Sequence, residues 1–251
     1  MADAKPERYE LYYWPTIQGR GEFVRLALEE AGAEYVDVGR LSGKEGGGED
    51  SIQGILEERR RGPRPFALPA LKLGDTVLSQ TGAILHWLGP RLGLAPPDED
   101  GRAWTLELAL TVADLVTEAH DAHHPIASGL YYEDQREEAR RRAADVVDSR
   151  IPRFMAHFEA ALHENPAGSD YLVGDELTYA DLSLFQLVSG LEYAFPRAMK
   201  VLSSEYPLCL ALQARVAGRP RIAAYLASPR RIPFNEMGIF RHYDELDAPA
   251  R

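Results

Sequence analysis

Two polar residues, Gln80 and Thr81, stand where a helix is predicted to begin, directly after a short β-hairpin. The hairpin opens at Pro69, turns at Gly74-Asp75 and returns through residues 76–79. Backbone N–H groups and the dipole at a helix N-terminus favour a carboxylate, and this amide and hydroxyl add two hydrogen-bonding groups. The end of the hairpin therefore suits an anionic group of a small ligand.

The bond between Leu68 and Pro69 comes immediately before the first strand of that hairpin. Proline has no N–H to donate to a sheet, so it belongs at the first residue of a strand or on an edge. We predict that this bond is cis, which would leave the backbone of Leu68 free to pair with an extended peptide. The unit then suits a short acidic peptide. The alternative is an ordinary hairpin with an edge proline, followed by a capped helix.

This hairpin-to-helix unit resembles the glutathione-binding half of the glutathione S-transferases. In that family a cis-proline loop pairs with the cysteinyl backbone of glutathione, and a Gln-Ser or Gln-Thr pair holds its γ-glutamyl carboxylate. The resemblance implies the first role for Leu68 and Pro69 and the second role for Gln80 and Thr81. It extends to residues 174–181, where a Gly-x-x-x-Thr-x-x-Asp helix-capping box occupies the place that it has in the family.

Glutathione chemistry needs the thiolate, and a free thiol with a pKa of about 8.5 is only slightly ionised at pH 7. A neutral hydroxyl that donates a hydrogen bond to sulfur stabilises the charged form and lowers the thiol pKa. Tyrosine-type members of the family place a Tyr at the end of the first strand, before an aromatic residue and often Pro or Asn. The match to Tyr13-Trp14-Pro15 implies that Tyr13 is the catalytic donor, with Tyr12 as the alternative.

The turn after Tyr13 departs from the family pattern in two ways. It is one residue longer, through Thr16-Ile17-Gln18, and Gln18 replaces the first Arg of an Arg-Gly-Arg pattern that ends here at Arg20. A shifted register would bring Tyr12 or a turn residue such as Thr16 into the donor role. The longer turn is also the feature that favours a different function class, a non-catalytic protein that binds glutathione or an apolar ligand on the same fold.

The resemblance implies four further glutathione contacts. Trp14 follows the candidate donor, and Arg20 either supports the site electrostatically or pairs with Glu22. Lys44 is a candidate for the glycyl carboxylate, although a lysine in a glycine-rich loop is commonly only solvated. Asp114 lies where a helical carboxylate of the family reaches the partner subunit's glutathione; otherwise it is an exposed acid on an amphipathic helix.

The histidines of His120-Asp121-Ala122-His123-His124 share a helix face, but no Glu or Cys completes a recognised metal spacing. Histidines near a helix C-terminus complement the helix dipole without a metal, so we predict no metal site. The single cysteine, Cys209, is expected to be a packed small hydrophobe.

Composition limits the cellular setting. The net charge of −11 argues against broad binding to nucleic acid. No apolar run is long enough for a membrane helix, and the polar N-terminus is unlike a secretory signal. One cysteine excludes an intramolecular disulfide, so a reducing, cytoplasmic compartment is predicted.

The chain divides into two halves by pattern. Residues 8–92 alternate strand-like and helix-like segments, which predicts an α/β domain with a mixed sheet, and the resemblance makes this domain thioredoxin-like. Residues 93–101 form a proline-containing linker, residues 102–230 an all-α domain and residues 231–251 a C-terminal tail. Within the first domain, residues 43–50 are predicted to be a mobile surface loop.

The chain is therefore interpreted as resembling a divergent, bacterial-style glutathione S-transferase of the tyrosine type, similar to the alpha, pi and sigma classes. The resemblance implies a cytoplasmic homodimer in detoxification that joins the glutathione thiolate to an electrophilic, apolar co-substrate held between the domains. Glutathione is the co-substrate, and neither nucleic acid nor membrane is an expected partner. A glutathione-dependent peroxidase or isomerase would reuse the same thiolate and is a further alternative, beside the non-catalytic binding protein.

Overall fold

The computed structural model describes residues 8–58 and 62–247 of the 251-residue chain. Its first part contains a four-stranded sheet in the order β2-β1-β3-β4. Strand β1 is parallel to β2 and antiparallel to β3, and β3 is antiparallel to β4. The strands are β1 (Tyr9–Tyr12), β2 (Tyr35–Asp37), β3 (Ala70–Leu73) and β4 (Thr76–Ser79).

Three helices cover the two faces of this sheet: α1 (Gly21–Ala31), α2 (Glu49–Glu57) and α3 (Thr81–Leu92). Side chains alternate along a strand, so neighbouring residues of β1 enter different cores. Leu11 packs with apolar residues of α1 and α3, whereas Tyr12 packs with Val38 and Ile55 on the side of α2. This arrangement confirms the predicted α/β layer with a mixed sheet.

The second part is helical, and from Glu99 onward the described residues contain no strand. Its core lies between α4, α6, α7 and α9, and α7 is buried on almost every side. The helices are α4 (Glu99–Asp121), α5 (Arg136–Asp145), α6 (Ile151–Glu164), α7 (Tyr179–Ala194), α8 (Pro196–Leu202), α9 (Pro207–Ala217) and α10 (Pro220–Leu226). A thioredoxin-like layer followed by an all-α part is the predicted fold class.

The predicted capping box at the start of α7 is confirmed. The Thr178 hydroxyl accepts a hydrogen bond from the N–H of Ala180, and the Asp181 carboxylate accepts one from the N–H of Thr178 at 2.7 Å. The second carboxylate oxygen of Asp181 accepts the N–H of Leu172, also at 2.7 Å. Asp181 is fully buried, so its role is to satisfy backbone donors at a helix start.

Several boundaries differ from the sequence-based expectations. Helix α4 begins at Glu99, within the stretch predicted as linker, because the carboxylate of Asp98 caps it by accepting the N–H of Gly101. The long helical pattern in the sequence of residues 134–162 predicts one helix, but a π-helical turn at Val146–Arg150 divides this stretch between α5 and α6. The domain limits 8–92, 93–101, 102–230 and 231–251 stay predictions.

The stretch predicted as a mobile loop, residues 43–50, contains a one-turn helix at Gly43–Glu45 and the first residues of α2. Helix α2 forms because Ile52 and Ile55, three residues apart, bury one narrow apolar face against the sheet. Because glycines and charged residues surround these two isoleucines in the sequence, the amphipathic pattern of the helix is difficult to recognise there. None of the described helices combines the length and the apolar character that crossing a membrane requires.

Candidate functional site

A cleft of about 520 Å³ opens where the N-terminal ends of α1 and α3 face α4. Its polar lining residues are Arg20, Gln80, Thr81, His86 and Ser183, and the remainder is mainly apolar. The apolar lining comes from Phe23 of α1, from Leu85 of α3, and from Leu106, Ala109, Leu110, Val112, Ala113 and Val116 of α4. The cleft can therefore hold an anionic or polar group at one side and an apolar group along α4.

Gln80 occupies the N-cap position of α3 with φ +71°, the one non-glycine residue of positive φ in the described part of the chain. Such backbone conformations cost on the order of 1–3 kcal/mol and tend to occur at ligand sites. The Gln80 side chain is exposed, and the hydroxyl of Thr81 donates to the backbone oxygen of Arg20 at 3.4 Å. The first N–H groups of α3 have no partners within the helix, so this end of the cleft offers donors to a carboxylate.

The Leu68–Pro69 peptide is cis, as predicted. Pro69 is buried and Leu68 is half-buried, and neither residue lines the cleft. In the sheet, Ala70 pairs with Tyr12 on one side and with Ser79 on the other. Continuing these registers by one residue aligns Tyr13, Pro69 and Gln80 at the same end of three adjacent strands.

Tyr13 lies on the α1 side of β1 and is only 5% exposed. Its hydroxyl oxygen accepts a hydrogen bond from the N–H of Arg20 at 2.8 Å. The turn between β1 and α1 can approach the Tyr13 side chain this closely because it contains Gly19 and is followed by Gly21. A Cβ on Gly19, whose φ is +47°, would lie 2.0 Å from the Tyr13 hydroxyl, and one on Gly21 would lie 2.5 Å from the ring.

Burial raises the pKa of the Tyr13 hydroxyl above its usual value. The N–H of Arg20 and the positive charges of Arg20 and Arg25 act in the opposite direction. Because burial dominates, Tyr13 is a neutral phenol at physiological pH. Its oxygen accepts from Arg20, and no hydrogen bond from the phenolic proton is formed to the described residues. Tyr13 itself does not line the cleft, whereas Arg20, whose N–H holds its hydroxyl, does.

The alternative donor, Tyr12, points to the other face of the sheet. Its hydroxyl donates to Glu10 Oε2 at 2.7 Å, and its ring packs against Val38, Ile55 and Ala70. This geometry favours Tyr13 over Tyr12. The following residue, Trp14, is 41% exposed beyond the end of β1.

Arg20 lines the cleft, and its guanidinium donates to the hydroxyl of Thr117 on α4 at 3.1 Å. It does not pair with Glu22, which instead forms ion pairs with Arg25 and Arg231. Thr117 was not among the residues predicted from the sequence. No local pattern marks it, because its partner lies 97 positions away along the chain.

Lys44 and Asp114 do not line the cleft. Lys44 is exposed on the one-turn helix Gly43–Glu45, and Asp114 is exposed on α4 beside the lining residue Ala113. The apolar lining of α4 and Ser183 of α7 were also missed. The α4 residues recur at helical spacing, a signal that indicates a buried face without distinguishing a cleft from a core.

The rings of His120, near the end of α4, and of His123 and His124, just after it, do come together. The ring of His120 lies 5.1 Å from that of His123 and 5.2 Å from that of His124, and His123 Nε2 lies 2.7 Å from the backbone oxygen of Ile239. Over residues 8–58 and 62–247, no group of three or more potential ligand side chains is arranged to hold a metal ion. Cys209 is fully buried, and burial raises the pKa of its thiol, as expected for a packed cysteine.

Comparisons with known proteins agree with this architecture. A family model described as glutathione S-transferase, C-terminal domain, matches residues 120–229. Glutathione S-transferase P of Bos taurus is 29% identical over 236 residues, covering 92% of this chain and 98% of the relative. A glutathione S-transferase of Plasmodium falciparum is 25% identical over 224 residues, covering 87% and 94%.

Solved structures share the fold. A pi-class glutathione S-transferase of Onchocerca volvulus superposes with a TM-score of 0.67 at 24% identity, over 87% of this chain and 91% of that one. A glutathione S-transferase of the hookworm Necator americanus, described as monomeric, superposes with a TM-score of 0.65 at 24% identity, over 90% of this chain and all of that one.

Proposed function

We propose that this chain, which belongs to the glutathione S-transferase family, ionises the thiol of glutathione and transfers the thiolate to an electrophilic, apolar co-substrate. The observation that carries this proposal is the Tyr13 hydroxyl, which is neutral, buried and held by the N–H of Arg20. It stands at the same sheet end as Pro69 and Gln80, where a short peptide would be bound.

Glutathione would bind along the ends of the three strands. The backbone of Leu68 would pair with its cysteinyl residue, while Gln80 and Thr81 at the start of α3 would hold its γ-glutamyl carboxylate. The strained backbone of Gln80 and the open N-terminus of α3 support this assignment. Lys44 and Trp14 are proposed as peripheral contacts to glutathione, because both side chains are exposed on the first domain and are free to reach a ligand.

The Tyr13 hydroxyl would donate a hydrogen bond to the sulfur of glutathione and keep its own proton. One pKa unit corresponds to about 1.4 kcal/mol, which is comparable to one charge-assisted hydrogen bond. A single donor supported by the positive charge of Arg20 would therefore lower the thiol pKa enough to populate the thiolate at pH 7. Attack on the electrophile forms a carbon–sulfur bond, and the leaving group departs with the electron pair of the bond that breaks.

The second substrate would be apolar, because most of the cleft wall on α4 consists of Ala, Val and Leu side chains. Such a wall holds the co-substrate close to the thiolate and provides few groups that could take part in the reaction. A peroxidase or an isomerase would use the same thiolate. The apolar lining of the cleft does not distinguish these two activities from the transferase activity. The non-catalytic alternative is disfavoured by the Arg20–Tyr13 hydrogen bond, since a binding protein has no need of an oriented hydroxyl.

The test is a spectroscopic assay of the purified protein with reduced glutathione and an aryl halide. We expect enzyme-dependent formation of the thioether and an ultraviolet thiolate band when glutathione is bound at pH 7. Binding of glutathione without the thiolate band and without turnover would support the non-catalytic protein instead. Turnover of a hydroperoxide but not of the aryl halide would support the peroxidase.

We also propose a homodimer, in which Asp114 approaches the partner's glutathione. Phe66, directly before the cis-proline loop, is 92% exposed, and Trp104 of α4 is also exposed. Exposed large apolar side chains of this kind support an association surface. The Necator americanus structure described as monomeric shows that dimerisation cannot be assumed from the fold.

For Phe66→Ser we expect a shift from dimer to monomer in sedimentation velocity at micromolar concentration, because the substitution removes the most exposed aromatic ring. Met237→Ser, at another exposed apolar residue distant from that loop in sequence, is the matched control. A wild-type protein that sediments as a monomer would refute the dimer.

A detoxifying role in the cytoplasm is proposed with this activity. The buried, unpaired Cys209 is consistent with a reducing compartment, where free thiols persist. Fractionation of the source cells tests this assignment, and recovery of the protein outside the soluble cytoplasmic fraction would contradict it.

A further inference from the structure

The C-terminal strap, defined here as residues 231–240, crosses from the helical part to the turn between β1 and α1. It is anchored on the helical side by two contacts. Phe240 is buried against α7, where a Cβ on Gly190 would lie 2.4 Å from its ring. The backbone oxygen of Ile239 lies 2.7 Å from His123 Nε2 at the end of α4. The sequence predicts only a tail in this region, and the structure packs it into the protein.

The other side of the strap holds the longer turn that departs from the family pattern. The side-chain amide of Gln18, only 5% exposed, donates to the backbone oxygen of Ile232. The side-chain amide of Asn235 donates to the backbone oxygen of Thr16 at 2.9 Å. The cavity where Gln18 and Gly19 face the strap has a volume of about 10 Å³. The turn and the strap are therefore closely packed.

A closed ring of buried hydrogen bonds joins the same elements. Gln18 Oε1 accepts from Gln186 on α7 at 2.8 Å, and Gln186 accepts from Arg231 of the strap at 2.9 Å. Arg231 donates to Glu22 at 2.6 Å, and Glu22 pairs with Arg25 at 3.1 Å. Arg25 closes the ring by donating to the backbone oxygen of Gln18 at 3.3 Å. This ring fixes Gln18 from both its side chain and its backbone.

Gln18 is two residues before Arg20, whose N–H reaches the Tyr13 hydroxyl, and Gly19 between them lies against that hydroxyl. The guanidinium of Arg25 also stands 5.7 Å from the centre of the Tyr13 ring. A displacement of the turn at Gln18 would therefore move the N–H of Arg20 relative to Tyr13. That N–H keeps the hydroxyl oriented as a donor.

We propose that the C-terminal strap is a positioning element for catalysis, which holds the β1–α1 turn through Gln18 and Asn235 and thereby orients the Tyr13 hydroxyl. The proposal rests on the proposed function, because it concerns the ionisation of bound glutathione. It makes Gln18 and Asn235 positioning residues, since both act through the turn and neither touches the sulfur. The proposal also explains the longer turn Thr16-Ile17-Gln18, because its residues Thr16 and Gln18 form the hydrogen bonds with the strap.

The test uses two variants and one control in the full chain. Asn235→Ala removes the contact to Thr16, and Gln18→Met removes the two side-chain contacts of Gln18 while keeping its volume. Glu236→Ala is the matched control, because Glu236 is adjacent to Asn235 and accepts a hydrogen bond from Tyr193 on α7 without contacting the turn. Each variant is compared by melting temperature, by ultraviolet titration of bound glutathione, and by kcat and KM.

We expect both strap variants to raise the pKa of bound glutathione by about half a unit or more, with a loss of about threefold or more in kcat. KM for glutathione should change by less than about twofold, because Gln80 and Thr81 bind the peptide portion. Glu236→Ala should titrate and turn over like the wild type. If Gln18→Met fails to fold, Asn235→Ala alone decides the outcome.

Folded strap variants with the wild-type thiol pKa would overturn the proposal, and so would an equal shift in Glu236→Ala. These outcomes differ from failure of the proposed function. In that case the wild-type protein would not ionise glutathione, or Tyr13→Phe would leave the thiol pKa unchanged.

Discussion

Tyr13→Phe is expected to raise the pKa of bound glutathione by one unit or more and to lower turnover about ten- to a thousand-fold. The phenolic proton is the donor that the structure leaves available, because the hydroxyl oxygen already accepts the N–H of Arg20. Phenylalanine keeps the ring, which fills the space beside Gly21, and removes only the hydroxyl. Glutathione affinity should change less, since Gln80, Thr81 and the Leu68 backbone are proposed to hold the peptide portion.

The measurement is ultraviolet titration of the bound thiolate, carried out beside turnover with an aryl halide. Tyr12→Phe is the matched control, since its hydroxyl donates to Glu10 on the other face of the sheet and should not affect the thiol pKa. Loss of the low pKa in Tyr12→Phe, with retention in Tyr13→Phe, would mean that the longer turn has shifted the catalytic register. If neither substitution changes the pKa, a turn donor such as Thr16 or a backbone N–H is responsible.

The second large effect is expected for Glu22→Ala, which should lower the free energy of unfolding by about 3–5 kcal/mol. Glu22 is completely buried, and its carboxylate receives Arg25 at 3.1 Å, Arg231 at 2.6 Å and the Tyr225 hydroxyl at 2.6 Å. Alanine would leave two buried guanidinium groups without this compensating charge. Among the described residues, Asp37, at 2.7 Å, would remain as the one anionic partner of Arg25.

Urea denaturation monitored by circular dichroism measures this change. Asp244→Ala is the control, because it breaks an ion pair with Arg197 in which both side chains are at least half exposed. Exposed pairs contribute about 0–1 kcal/mol, so this variant should remain close to the wild type. A loss for Glu22→Ala no larger than that of Asp244→Ala would show that the buried ring is energetically neutral.

Some of this architecture follows from short stretches of sequence. The capping box of Thr178 and Asp181 and the cis bond before β3 were both predicted and are confirmed. Each depends on residues within about a dozen positions of one another, whose propensities and caps act locally. The chain's resemblance to the glutathione S-transferase family was recognised from two such local units, residues 68–81 and residues 174–181.

Other features were decided only when distant segments came together. One alternative from the sequence was an ion pair between Arg20 and nearby Glu22. In the fold, Arg20 instead donates to Thr117 on α4, and Glu22 pairs with Arg25 and Arg231. In a sequence, a charged residue is normally expected at the surface. Burial of Glu22 and Arg25 is possible only because tertiary contacts supply opposite charges, so their position could not be predicted from their types.

The strap shows the same limit most clearly. Gln18 meets Ile232 across 214 positions, and Asn235 meets Thr16 across 219. Hydrogen bonds between single polar residues leave no periodic pattern along a chain. The sequence alone therefore determined the secondary structure around Tyr13 and identified it as the candidate donor. The nearby residues Gly19 and Arg20 enclose and orient its hydroxyl. The tertiary structure alone decided what holds their turn in place, because Gln186, Ile232 and Asn235 reach it from distant parts of the chain.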